Sequence, residues 1–132
     1  MRVMVLLSAK PGLEAGQRET QAERDAMDRY NEALENAGIR LVAEGLRPSS
    51  MGVRIDFTDS GTSVTDGPFA ETKELLRGYW IWQVETMDEA VEWAKKAPLG
   101  AGERIELRPI YSSEDVQELR QRNDASTVSS GN

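Results

Sequence analysis

Three carboxylates, a lysine and an aromatic ring fall within eleven residues, VTDGPFAETKE (64–74). Asp66 is the first candidate for chemistry. It stands before Gly67-Pro68, a pair that stiffens the backbone around its carboxylate. A carboxylate held near apolar rings has a raised pKa and can act as a general base. The plainer reading is a turn, in which Asp66 caps backbone N–H groups and Gly67 supplies positive φ. Both readings stay open. Lys73 offers a point charge for an anionic substrate, or an ion-pair partner for Asp66 or Glu71, and the pairing ranks first. Phe69 reads as a packing anchor and Glu74 as part of a solvated connector.

A second group of polar residues lies on strand-like segments. Glu44 sits in VAEGL, opposite in phase to Leu41 and Ala43. Arg54 and Asp56 share the polar face of MGVRIDFT (51–58), and Arg108 shares a face with Glu106 in ERIELRPI (103–110). Buried charges are costly unless paired. These residues therefore form either an ion-pair network, such as Arg108 with Glu44, or a polar cavity for a small carboxylate-bearing ligand. Asp66 and Glu44 are the catalytic candidates. Arg54, Asp56, Lys73, Tyr79 and Arg108 are the ligand-binding candidates. Tyr79, Trp80 and Trp82 offer an aromatic wall, with core packing ranking first for at least one of them.

Composition limits the chemistry. The chain of 132 residues has no cysteine and no histidine. Thiol nucleophiles, disulfides, Ser–His pairs and the usual zinc ligands are excluded. No metal and no cofactor are expected. A net charge of −7 repels phosphate backbones, so no direct nucleic-acid partner is expected. No apolar run is long enough to span a membrane. The apolar part of MRVMVLLSAKPG is five residues, short for a signal peptide, and a cytoplasmic location is the default expectation.

The elements that must position these residues follow from periodicity. RVMVLL (2–7) reads as a buried strand and SAKPGLEAGQ (8–17) as a loop. Loop 8–18 is long for its position and is either an ordinary surface excursion, which ranks first, or a lid over the cleft. Residues 19–38 carry a helical stripe of Ala22, Ala26, Met27, Tyr30, Ala33, Leu34 and Ala37, stopped at Gly38. IRLVAEGL (39–46) is a strand. Residues 51–58 alternate Met51, Val53, Ile55 and Phe57 against polar residues and form a hairpin with TSVT (62–65). LRGYWIWQVE (76–85) is a strand, TMDEAVEWAKKAP (86–98) a helix opened by the Thr86–Glu89 capping box, and 103–110 the last strand. A short helix follows. Residues 1–123 form one domain, and the small polar residues 124–132 are expected to be a disordered tail.

The order β-α-β-β-β-β-α-β, with the hairpin as an insertion, predicts an α+β ferredoxin-like sandwich: an antiparallel sheet with two helices on one face. Two helices cover only one face. Strands 2–7 and 79–84 are apolar on both, so a second copy of the chain is expected over the open face, in preference to the polar segment 111–123.

TDGPFAETKE resembles the signature of the YCII-related family in its DGPF subgroup. LVAEGLRPS, MDEAVEWAKKAP and IELRPIYSSED resemble further family motifs, in order, over roughly residues 1–115. The resemblance implies a dimeric α/β barrel and a homodimer. It also implies a family without one established activity, some of whose members are linked to extracytoplasmic-function sigma factors. The His–Asp pair common in the wider group is not carried over, because this chain lacks histidine. Two functions follow as expectations. One is binding of a small organic, anionic ligand in a cleft on the sheet face, with cofactor-independent acid–base chemistry or without it. The other is a non-catalytic regulatory partner of a sigma factor.

Overall fold

Burial alternates along the first strand and again along the fifth, and the topology follows from that alternation. The computed structural model describes residues 1–71 and 74–130. Its strands are β1 (Arg2–Ser8), β2 (Arg40–Gly45), β3 (Val53–Thr58), β4 (Gly61–Asp66), β5 (Leu76–Gln83) and β6 (Ile105–Pro109). Its helices are α1 (Pro11–Glu14), α2 (Gln21–Asn36), α3 (Met87–Lys95) and α4 (Ser113–Ser130). Four strands form one sheet in the order β2-β5-β1-β6, and every pairing in it is antiparallel. This is the expected ferredoxin-like sandwich.

One face of the sheet is the core. Val3, Val5, Leu7, Trp80 and Trp82 point to it and meet Tyr30 and Leu34 of α2 and Ala90 of α3. Val3, Val5, Leu34 and Trp82 lose all measurable exposure, each stabilising the fold by about 1.5–3 kcal/mol before entropy is counted. Both tryptophans of β5 are thus on the helix side. Tyr30 and Trp80 meet edge-on at 5.9 Å, and Trp80 and Trp82 lie at the same centroid spacing.

The two helices that pack on the sheet, α2 and α3, open on threonine caps. The Glu23 N–H donates to Thr20 Oγ1 at 3.1 Å, and the Glu89 N–H donates to Thr86 Oγ1 at 3.2 Å. Gly38 ends the chain's exit from α2 at φ 73°. The Tyr30 hydroxyl donates to the Trp93 carbonyl at 2.6 Å and ties α2 to α3.

Among the described residues, no layer covers the other face. Across the four strands, Val42, Ile81, Met4 and Arg108 form one row, and Glu44, Tyr79, Leu6 and Glu106 form the next. The apolar members are only half-buried. Helix α4 is longer than the short helix expected, but every residue from Ser113 to Asp124 is exposed, so it does not cover this face. Among the described residues, no helix is long and apolar enough to cross a membrane.

Strands β3 and β4 form a separate two-stranded sheet. Their alternation reads as half-buried, yet every residue of both strands is exposed, Phe57 at 83%. The hairpin stands off the main sheet, so no layer packs on its apolar side. Only its base is fixed. The Gly67 N–H donates to the Gly52 carbonyl at 2.9 Å, and the Phe69 N–H donates to Ser49 Oγ at 3.1 Å.

Candidate functional site

A cleft of about 440 Å³ opens at the end of the sheet where β2 and β5 meet. Its cause is a pair of glycines. Gly45 pairs with Gly78, and Gly78 pairs with Leu7, so two of these neighbouring strands carry no side chain there. The space is bounded by Leu7, Met27, Ala43 and Trp80. The expected loop 8–17, which includes the single turn α1, supplies another wall through Lys10, Leu13, Glu14 and Gln17. Leu46, Arg47 and Pro48 stand opposite.

Hydrogen bonds hold those walls together. Glu14 Oε1 accepts from the Ser49 N–H at 2.8 Å, joining the two rims. Lys10 pairs with Glu23 on α2 at 3.0 Å, and its ammonium holds the Glu23 carboxyl below the usual range. Arg77 is the central clamp. The strand register steps from Leu7–Gly78 to Ser8–Leu76 and passes over Arg77, which is a β-bulge. Bulges re-aim side chains. Here the guanidinium donates to Glu19 at 2.6 Å and to Glu103 at 2.8 Å. The Glu103 carboxylate also accepts from the Gly100 N–H at 2.7 Å. Deeper in, the Trp80 indole N–H donates to Asn31 Oδ1 at 2.7 Å. Burial pushes the Tyr30 phenol well above its ordinary pKa.

The residues singled out in the sequence do not converge on one point. Glu44 and Tyr79 are register neighbours at the cleft's border, with their side chains in the row on the open sheet face. Asp66 ends β4, exposed, opposite Val53. Arg54 stacks over the Phe69 ring at 3.8 Å, and Asp56 is exposed opposite Ser63. Arg108 lies on the open sheet face and pairs with Glu106 at 3.3 Å, not with Glu44 as expected. The two share that face but sit on its opposite edge strands, whereas Glu106 is two residues away on β6. Lys73 lies outside the described residues. A smaller hollow of about 200 Å³ occurs on the open face beside Leu6, Ser8, Arg104 and Glu106.

Gly67 has a different reason from the one its motif suggests. Its φ is not positive. A Cβ there would sit 1.7 Å from the Ser49 carbonyl oxygen, so glycine is required by a close backbone approach. Phe69, beneath Arg54 and bonded to Ser49, anchors the same junction. The motif is therefore the base of the hairpin, packed on the segment that forms one rim of the cleft.

A model of the YCII-related domain matches residues 1–114. The chain belongs to the YCII-related family. It is also similar to an uncharacterised protein of Rhizobium meliloti, 38% identical over 50 residues, which is 38% of this chain and 40% of that protein. The chain thus matches about two-fifths of that relative's length. The residues that sequence reasoning missed are Asn31, Arg47 and Arg77. Asn31 gives a weak signal as a polar residue one turn beyond Met27 on the apolar stripe. Arg77 gives none, because strand alternation does not reveal a bulge.

Proposed function

We propose that this YCII-related protein binds a small amphipathic organic molecule with an anionic end in the cleft beneath residues 9–19. The supporting observation is the cleft's composition. It has the size of small-ligand sites, an apolar floor and a few polar groups at its rim. Arg47 lies on that rim without a carboxylate partner among the described residues; its contact is the Met51 sulfur at 3.7 Å. The other two lining cations are engaged, Lys10 by Glu23 and Arg77 by Glu19 and Glu103. Arg47 is therefore the charge left for an anion. We place the chain in the DGPF subgroup on its TDGPF segment.

We further propose a homodimer through the open sheet face. Met4, Leu6, Tyr79 and Ile81 give that face its apolar centre. Arg108 on one edge and Glu44 on the other give it both signs of charge, which a two-fold axis can set against each other.

Gly45 allows the cleft to be tested directly. A Cβ there meets nothing within 4 Å, so Gly45→Val fills space without a clash and suits an edge strand. Benzoate and hexanoate should shift the amide resonances of Gly45 and Gly78 and the indole resonance of Trp80. Gly45→Val should weaken that binding at least about tenfold, or about 1.4 kcal/mol, with the fold intact. Undiminished shifts in the variant, or none in the native protein, would defeat the proposal.

A further inference from the structure

We infer that Asn31 reads the ligand of this cleft and selects a molecule that presents a hydrogen-bond acceptor, a carboxylate or carbonyl oxygen, beside the Trp80 ring. The inference rests on the binding role proposed above. Met27 and Asn31 are one helical turn apart on α2, and both line the cleft with Trp80. The stripe that buries Tyr30 and Leu34 therefore ends, on its cleft side, in an amide.

The orientation of that amide is dictated by chemistry. An indole N–H can only donate. The Asn31 atom 2.7 Å from Trp80 Nε1 must therefore be the oxygen. The remaining atom is the NH₂ group, which donates twice and accepts nothing. It has no acceptor among the described residues, and it is not among the buried unpartnered atoms, so solvent reaches it. A rigid, donor-only group thus sits on the wall of a largely apolar cleft. Sites built this way discriminate strongly, because a ligand without the matching group leaves a polar atom unpaired.

A purely structural role for Asn31 would be to satisfy the Trp80 N–H. The two roles separate in Asn31→Asp. Aspartate still accepts from Trp80 but has lost both donors and gained a negative charge. The probes are benzoate, its neutral methyl ester and benzylamine, followed through the Trp80 indole resonance. The native protein should bind benzoate and methyl benzoate and disfavour benzylamine. Asn31→Asp should weaken both acceptor probes at least about tenfold and raise the relative affinity for benzylamine. Loss of the neutral ester separates lost donation from simple charge repulsion. If the aspartate variant does not fold, Asn31→Leu, close to asparagine in size and without any donor, should show the same loss of the ester. Unchanged ester and benzoate affinities would overturn the role of Asn31 and leave the cleft as a ligand site. Failure of all three probes to bind the native protein, with no shift at Gly45 or Gly78, would overturn both.

Discussion

Tyr30 carries one hydroxyl with two consequences. It donates to the Trp93 carbonyl at 2.6 Å, and its ring meets Trp80 edge-on. Burial raises its pKa above the ordinary 10.0. Below that value both folded and unfolded tyrosine keep the proton, and the shift has no effect on stability. Above it the unfolded tyrosine ionises while the folded one stays neutral, so stability falls as pH rises. The slope is at most about 1.4 kcal/mol per pH unit from this group. Tyr30→Phe should lose about 1 kcal/mol at neutral pH through the missing hydrogen bond. Its urea-unfolding stability should then decline less steeply than the native protein's above pH 10; parallel declines would disprove the assignment. Tyr30 was legible in the sequence as part of the helical stripe, but its partner was not. Residues 30 and 93 meet only after two helices pack on one sheet. Gly67 teaches the same lesson, since its glycine requirement comes from Ser49, a neighbour that turn statistics cannot see.

Strand and helix order were readable because most elements announce themselves by period. α2 shows its 3.6-residue stripe and the hairpin its two-residue alternation, and β5 and the capped α3 are where the sequence places them. The bulge at Arg77 was not readable, since it depends on how β1 and β5 register. Yet it organises the site's end of the sheet. Arg77 is 14% exposed and Glu103 11%, whereas Glu19 is 30% exposed. Removing the guanidinium leaves the Glu103 carboxylate nearly buried and without its cation. Arg77→Leu should therefore destabilise the protein by about 2–3 kcal/mol, toward the lower end for a broken buried pair. Glu19→Gln should cost less than half of that, because solvent screens its pair. The double variant Arg77→Leu/Glu103→Leu should recover part of the loss, as no charge is then stranded. Denaturant midpoints that rank Glu19→Gln as the more damaging change would contradict this view of the clamp.

At the scale of the whole molecule, the question is what the second sheet face does. Apolar pairing on both sides of β1 and β5 made an open face foreseeable from sequence. The cleft was not, because it arises where Gly45 and Gly78 become neighbours through a topology that separates them by a hairpin in the chain. The open face and the cleft are opposite sides of the same two strands: Tyr79 and Ile81 point one way, Gly78 and Trp80 the other. A substitution on the open face should therefore break association while sparing the fold. Ile81 lies between Met4 and Val42 in the middle of the apolar row. Ile81→Glu places a carboxylate where two copies would each bury one, and no cation adjoins it in that row on its own chain except Arg108 beyond Met4. The native protein should sediment at about twice the 14.7 kDa of one chain, and Ile81→Glu as a monomer with an unchanged circular dichroism spectrum. Because the core lies behind the strand, thermal stability should fall only by the part that dimerisation contributes, and the fall should grow with protein concentration. A native protein that sediments as a monomer, or a variant that remains dimeric, would show that something other than a second copy covers this face.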